Sequence, residues 1–326
     1  MHAAIPRSAG FRVKSNSLPT MTERVVVALG GNAIAGARGA DPESQQQAVE
    51  RACEQIAELV VSGHEVAITH GNGPQVGNLL LKNDLAREVV PPVPLDWCVA
   101  QTQATLGFLI VTALEAALAR RGTARMVATV VTRVLVDRDD PAWERPTKPI
   151  GRHVEAAEAA KRIAAGEAWE DRGERGWRRM VPSPRPLEIL DRAAVEALIS
   201  GGAIVVAAGG GGIPMVRDDG QLRGVEAVLD KDLTAALMAR TIEAGCLLIA
   251  TDVEAAATGY GTDGQRWLGA VERERLRELL DAGEFAGGSM GPKVEAALAF
   301  GGRSVITSLE RLREGVEGTA GTQVAP

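Results

Sequence analysis

Residues 24 to 33 read RVVVALGGNA, an apolar β-branched run that ends in two glycines and an asparagine. Such a run predicts a buried β-strand, and the glycines predict a loop directly after it. Five similar apolar runs follow along the chain, and each is also predicted to be a buried strand. They span residues 64 to 69, 126 to 132, 203 to 208, 246 to 250 and 304 to 306.

Segments with a helical pattern lie between these strands. In them apolar residues recur at spacings of three and four, the period of a helix with one buried face. The predicted helices span residues 44 to 61, 99 to 119, 187 to 199, 232 to 243 and 291 to 300. The alternation predicts an α/β fold, a three-layer α/β/α sandwich with a mainly parallel sheet, in which ligands bind at the carboxyl ends of the strands.

Residues 137 to 186 differ in composition from the segments around them. They are rich in acidic residues and arginines, and they contain Trp143, Trp169 and Trp177. We interpret them as a small lid subdomain inserted into a single domain of residues 23 to 326.

Composition excludes several classes of partner and location. The net charge is −6 and the basic residues are scattered, so neither nucleic acid nor an anionic membrane is an expected partner. The apolar run at residues 106 to 118 is interrupted by Thr112 and Glu115 and is shorter than the ~20 residues of a membrane span. Three widely spaced cysteines without a CxxC pair predict a cytoplasmic protein. Residues 1 to 22 lack the apolar segment of a secretory signal and are predicted to be a disordered leader.

Three glycine loops directly follow predicted strands. They are Gly30-Gly31-Asn32, Gly71-Asn72-Gly73 and the run at residues 209 to 212, which contains Gly210 and Gly211. Without a Cβ, such loops let backbone N–H groups approach an anion. A tight turn is the alternative for any one of them, but three together indicate a ligand. A P-loop NTPase is disfavoured because GxxxxGK[ST] is absent, and a dinucleotide-binding dehydrogenase is the weaker rival.

Three lysines lie beside proline, glycine or carboxylate residues: Lys148, Lys231 and Lys293. A lone lysine is usually a solvated charge, but phosphoryl transfer depends on cations directed at the transferred group. Asp232 either holds two ammonium groups or caps the helix that follows, and Asp230 or Asp252 could contact magnesium. His70, beside the second glycine loop, either organises that loop or contacts substrate.

These features belong to a set of longer motifs. The motifs are ALGGNA (28 to 33), HGNGPQVG (70 to 77), PTKPIG (146 to 151), GWRR (176 to 179), VPSP (181 to 184), GGGGIP (209 to 214), DKDL (230 to 233) and GSMGPK (288 to 293). In order and spacing they resemble the carbamate kinases of the amino acid kinase family, over nearly all of residues 24 to 324. HGNGPQVG and PTKPIG together separate this branch from the acetylglutamate, glutamate, aspartate and UMP kinases of the wider fold.

The resemblance implies a homodimer with a protruding subdomain, which transfers a phosphoryl group reversibly between ATP and carbamate with Mg²⁺. Gly30, Gly31 and Asn32 would hold the transferred phosphoryl group, and Gly71, Asn72 and Gly73 would hold the carbamate. Lys148 would reach the site from the lid, Lys231 would stabilise the bridging charge, and Lys293 would hold the nucleotide phosphates. Asp232 would orient the lysines. The nucleotide would lie near Gly210, Gly211, Thr251, Asp252, Tyr260, Met290 and Lys293.

Two positions depart from the family pattern. After Thr251 the family commonly carries a tyrosine near the nucleotide base, for which Tyr260 is the candidate replacement here, and Ala104 stands where glycine is common. Carbamate is already anionic and needs no general base, which agrees with the scarcity of histidine. The alternatives are a kinase for another small carboxylate and a non-catalytic sensor of nucleotide or carbamoyl phosphate.

Overall fold

The computed structural model of the protein describes residues 23 to 35, 41 to 285 and 289 to 326. The predicted leader, residues 1 to 22, lies outside the described residues. The strands are β1 (Arg24–Leu29), β2 (Glu65–His70), β3 (Val127–Thr129), β4 (Arg133–Val136), β5 (Lys148–Val154), β6 (Ala168–Asp171), β7 (Trp177–Val181), β8 (Pro186–Ile189), β9 (Ile204–Val206), β10 (Ile213–Asp218), β11 (Gln221–Gly224), β12 (Cys246–Thr251), β13 (Ala257–Thr258), β14 (Arg266–Trp267), β15 (Ala270–Val271), β16 (Arg303–Ser308) and β17 (Thr322–Val324). The helices are α1 (Gly31–Ala35), α2 (Pro42–Val61), α3 (Gly73–Ala86), α4 (Leu95–Arg120), α5 (Ala156–Ala164), α6 (Arg192–Ser200), α7 (Lys231–Thr241), α8 (Arg273–Asp281), α9 (Met290–Phe300) and α10 (Leu312–Val316).

The central sheet has the strand order β15-β17-β16-β12-β1-β2-β9-β3. All six predicted strands belong to it, and every neighbouring pair is parallel except β16 with β17. The predicted mainly parallel sheet is therefore confirmed. From β1 the chain continues to β2 on one side, and from β12 it continues to β16 on the other side. The carboxyl ends of β1 and β12 therefore flank a switch point, the position where open α/β sheets bind ligands.

Helices cover both faces of this sheet. In β1, Val26 and Ala28 belong to an apolar core with α6, α7, α8 and α9, whereas Val25, Val27 and Leu29 belong to a core with α2, α4 and α10. The alternation follows from the two-residue period of a strand. The predicted three-layer α/β/α sandwich is confirmed.

The long helix α4 is apolar enough by length and composition to cross a membrane. Its Leu106, Ile110 and Leu114 are instead fully buried in the core that it shares with α2 and β1. α4 is therefore a core helix of the sandwich.

Three smaller sheets lie outside the central one among the described residues, and the smallest is the pair of β13 with β14. β5, β7 and β6 form a three-stranded sheet, which lies within residues 137 to 186, and β11, β10, β4 and β8 form a four-stranded sheet. The lid role of residues 137 to 186 and the extent of the single domain, residues 23 to 326, remain predictions.

The helix predicted at residues 187 to 199 is wrong at its start. Leu187 to Ile189 belong to β8, which pairs antiparallel with β4, and α6 begins at Arg192. Ile189 is buried opposite Val134, so pairing with a distant strand overrides the local helical spacing.

Candidate active site

The first two glycine loops touch each other at the carboxyl ends of β1 and β2. A Cβ on Gly71 would lie 3.0 Å from the Cα of Gly31, so this approach requires glycine at position 71. α3 begins at Gly73, so the positive end of its dipole lies at the second glycine loop and favours an anion there.

Asp232 joins two of the predicted lysines. Its carboxylate is buried; Oδ1 accepts a hydrogen bond from Lys231 Nζ at 2.6 Å, and Oδ2 accepts one from Lys293 Nζ at 3.3 Å. The alternative in which Asp232 caps α7 is wrong, because Asp230 is the capping residue and its Oδ1 accepts from the N–H groups of Asp232 and Leu233. Asp232 therefore holds two ammonium groups side by side.

The third lysine reaches this network from the three-stranded sheet. Lys148, the first residue of β5, donates from Nζ to Asp230 Oδ2 at 2.6 Å. Burial raises the pKa of the Asp230 carboxyl, but the charge and hydrogen bond of Lys148 and the N–H of Leu233 outweigh it, so this pKa lies below its usual value. Asp230 is therefore ionised, with both oxygens occupied.

Lys293, in the first turn of α9, is also buried, and its Nζ donates to the carbonyl of Ser289 at 3.4 Å as well as to Asp232. Burial and the nearby charge of Lys231 lower the pKa of Lys293, and the carboxylate of Asp232 opposes this shift. The charge of Lys293 therefore depends on Asp232.

Two adjoining cavities meet at this network. The first cavity, about 370 Å³, is lined by residues that include Gly71, Asn72, Gly73, Lys148, Arg178, Gly210, Asp230 and Asp232. The second cavity, about 440 Å³, is lined by residues that include Gly30, Arg51, Thr251, Asp252 and Glu310. Gly31, Lys231, Ser289 and Lys293 line both cavities. Both volumes suit small ligands, and the shared lining is where a group passing between two ligands would lie.

Three of the predicted site residues whose surroundings the structure describes line neither cavity. Gly211 is buried behind its loop, where a Cβ would lie 2.7 Å from the carbonyl oxygen of Leu229. Met290 packs against the apolar core, and Tyr260 is 63% exposed with its ring edge-on to Trp267. Asn32 lies in α1 directly after Gly31. The predicted nucleotide contacts of Gly211, Met290 and Tyr260 thus gain no support from the cavities.

Asn72 is held in place from α4. Its Nδ2 donates to Thr102 Oγ1 at 2.8 Å, and the hydroxyl of Thr102 donates to the carbonyl of Val99 at 2.7 Å. Gly210 leaves room for Asn72, because a Cβ there would lie 2.0 Å from Nδ2. Ala104 is exposed, so this departure from the family pattern points away from the site.

His70 organises the loop rather than lining a cavity. Its ring is buried, Nδ1 donates to the carbonyl of Gly71 at 2.9 Å, and a Cβ on Gly209 would lie 2.4 Å from the ring. Burial lowers the pKa of His70 from 6.5 to about 4, partly opposed by the bond to Gly71, so the ring is neutral at pH 7.

We expect the His70→Asn variant to lose less stability in mild acid than the parent protein. In the parent, the unfolded chain binds a proton near pH 6.5 and the folded chain only near pH 4, so the free energy of unfolding falls as pH drops through this window. The full shift corresponds to about 3 kcal/mol. Urea unfolding of both proteins above and within the window measures this; equal pH slopes would contradict the assignment.

The carboxylates differ in their fit to magnesium. Both oxygens of Asp230 already accept hydrogen bonds, so a Mg²⁺ ion there would compete with Lys148 for the carboxylate. Asp252 lines the second cavity, is exposed, and accepts a hydrogen bond from the Thr251 hydroxyl at 3.1 Å. Among the described residues no cluster of three or more potential ligands occurs. Asp252 fits a Mg²⁺ ion bound mainly by phosphates and water.

Two arginines at the site were missed by the sequence analysis. Arg178 of β7 lines the first cavity, and Arg51 of α2 lines the second. The GWRR motif contained Arg178, and the alternation of a strand could have separated it from Arg179. Arg51 lies in the middle of a helix, where no motif marks it.

An α/β/α sandwich with glycine loops and clustered lysines between two cavities is the architecture of a small-molecule kinase. The model of the amino acid kinase family matches residues 23 to 309, and the chain belongs to this family. The dehydrogenase alternative is therefore wrong.

Individual relatives narrow the comparison to one branch. The chain is similar to the carbamate kinase of Pyrococcus furiosus, with 45% identity over 317 residues that cover 94% of this chain and 100% of the relative. A carbamate kinase-like protein of Escherichia coli K12 is 40% identical over 312 residues, covering 93% and 99%. The structure of Giardia lamblia carbamate kinase bound to AMP-PNP is similar with a TM-score of 0.88 and 39% identity, covering 93% of this chain and 98% of that one.

Proposed function

We propose that the protein is an ATP-dependent carbamate kinase that transfers a phosphoryl group reversibly between ATP and carbamate, and that it works mainly towards ATP. The observation that carries this proposal is the pair of lysines on buried Asp232, because Lys231 and Lys293 also form the shared lining of two cavities. Relatives named carbamate kinase over nearly the full chain support the choice of substrate.

The two cavities suggest where each substrate binds. Carbamate or carbamoyl phosphate occupies the first cavity, beside Gly71, Asn72 and Gly73. The nucleotide occupies the second, with its terminal phosphate at Gly31 and the shared lysines. Mg²⁺ bound to the nucleotide phosphates and Asp252 would neutralise part of their charge.

The difficulty of the reaction is repulsion between two anions. The carbamate oxygen is already charged, so the attack needs no general base, and no histidine is among the described residues that line the two cavities. Lys231 and Lys293 direct positive charge at the group in transfer, and Lys148 adds a third charge from the three-stranded sheet. Because Asp230 and Asp232 fix these ammonium groups, little reorganisation is needed during the reaction.

The direct test is ATP formation from ADP, Mg²⁺ and carbamoyl phosphate by the purified protein, read by luminescence. Turnover is the expected result. Absence of turnover would refute the proposal. A screen of small carboxylates with ATP would then reveal a different acceptor, and nucleotide binding without any turnover would reveal a sensor.

A cytoplasmic homodimer is part of the same proposal. Trp97 and Phe108 of α4 are 60% and 63% exposed and lie about three helical turns apart on one face. Such apolar exposure supports contact with a second copy. A monomeric mass in light scattering would contradict it.

A further inference from the structure

Arg178 differs from every other cation of the first cavity. Each of the three lysines there forms an ion pair with Asp230 or Asp232 at 2.6 to 3.3 Å. Among the described residues, no ion pair or hydrogen bond joins Arg178 to a carboxylate, and its Nε is buried without a hydrogen-bond partner. The guanidinium therefore brings a positive charge to the cavity that no residue around it balances.

The position of Arg178 in β7 explains why it faces the cavity. Successive side chains of a strand point to opposite faces, so Arg178 and Arg179 diverge. Arg179 Nε lies 3.6 Å from Glu167 Oε2, and its Nη2 lies 3.4 Å from Glu226 Oε2. The charge of Arg179 is therefore balanced by carboxylates on its own face of the strand. Arg178 lines the first cavity instead.

The strands beside β7 do not supply the missing partner. Arg178 is in register with His153 of β5 and Glu170 of β6. Glu170 already pairs with Arg172 at 2.9 Å. Burial and the charges of Arg178 and nearby arginines lower the pKa of His153, and an imidazole in either form carries no negative charge that could balance Arg178.

This arrangement has a cost that a bound anion would remove. Burial and the charge of Arg172 lower the pKa of Arg178, which shows that its surroundings disfavour the charged form. A partly buried charge without a partner destabilises a protein unless a group of opposite charge binds to it. A guanidinium offers a planar fork of N–H donors, which suits carboxylate and phosphate oxygens.

We propose that Arg178 is an acceptor-binding residue, whose guanidinium contacts carbamoyl phosphate or carbamate in the first cavity. It lies with Gly71, Asn72 and Gly73 on the side away from Thr251 and Asp252, because it lines the first cavity and not the second. The first cavity is lined by three lysines and Arg178, against the two carboxylates of Asp230 and Asp232. Its lining therefore has a net charge of two positive charges, of which Arg178 provides one. This assignment rests on the proposed function.

The test compares Arg178→Gln with the parent in ATP formation from ADP and carbamoyl phosphate. Losing a charge-assisted hydrogen bond is expected to raise the KM for carbamoyl phosphate by about 10- to 100-fold, with the KM for ADP unchanged. Arg178→Lys keeps the charge without the fork and is expected to give an intermediate KM. Arg175→Gln is the matched control, because Arg175 is an exposed arginine in the turn just before β7 and lines neither cavity. Its kinetics should equal those of the parent.

Calorimetric titration with carbamoyl phosphate in the absence of ADP gives a second readout that needs no turnover. Binding that weakens in Arg178→Gln and remains in Arg175→Gln supports the assignment. An unchanged KM for carbamoyl phosphate with unchanged binding overturns it, as does an equal rise in both KM values. If the parent forms no ATP, the proposed function is refuted, and the role of Arg178 is then decided by the titration alone. If the parent also fails to bind carbamoyl phosphate, the role of Arg178 is refuted too.

Discussion

The Lys231→Ala variant is expected to lose about 100- to 1000-fold in kcat for ATP formation while it keeps its fold. Lys231 lines both cavities, and its Nζ is fixed at 2.6 Å from Asp232, so its charge is aimed at the position of the transferred group. That charge matters more in the transition state than in the ground state, so kcat should fall more than the KM values rise. Steady-state kinetics with ADP and carbamoyl phosphate measure both quantities.

A suitable control for this variant is Lys82→Ala. Lys82 is an exposed lysine of α3 that lines neither cavity, so its removal should leave kcat and the KM values as they are. The circular dichroism spectrum of Lys231→Ala should match that of the parent, because Asp232 keeps Lys293 as a partner. An unchanged kcat in Lys231→Ala would remove Lys231 from the mechanism.

The sequence predicted those parts of the fold that depend on local pattern. The run at Arg24 is a strand because it is apolar and β-branched, and its buried neighbours are equally apolar, as expected for a parallel sheet covered on both faces. The helix predicted from Leu187 overlaps β8, because a strand of four residues is too short to separate a period of two from one of 3.6, and only the pairing with β4 decides between them.

In the candidate site, too, features set by local sequence could be predicted and features set by distant contacts could not. The glycine loops were found because their residue type is the signal, and the structure brings Gly31 and Gly71 together as adjacent strand ends. The cap of α7 could not be chosen from sequence, since Asp230 and Asp232 are both acceptable caps. Lys293, 61 residues away, is one of the two partners of Asp232.

Side-chain direction is what the motifs predict least well. Met290 is predicted from its place in the GSMGPK motif and Tyr260 as a replacement for the family's tyrosine, and neither ground says whether the side chain faces a cavity. Arg51 was not predicted, because no motif contains it. Only the packing of α2 in the folded protein brings it to the second cavity.

The second large effect is expected on stability: Asp232→Asn should lower the free energy of unfolding by about 3 to 5 kcal/mol. The substitution removes the carboxylate that balances two ammonium groups, and Lys293 is 4% exposed, so water cannot replace it. Urea unfolding near pH 7 measures the loss. The loss should shrink at alkaline pH, because burial and Lys231 already lower the pKa of Lys293 and its neutral form costs less to bury.

The double variant Asp232→Asn/Lys293→Met separates unpaired charge from lost packing. Methionine fills a similar volume without a charge, so the double variant should be more stable than Asp232→Asn alone, although it lacks two groups of the site. Lys293→Met alone leaves the 2.6 Å pair of Lys231 with Asp232 intact and should lose activity with a smaller loss of stability. If the changes in the free energy of unfolding caused by the two substitutions simply add, Asp232 does not hold the buried Lys293. Asp232 would then not be the residue that organises the lysines of the site.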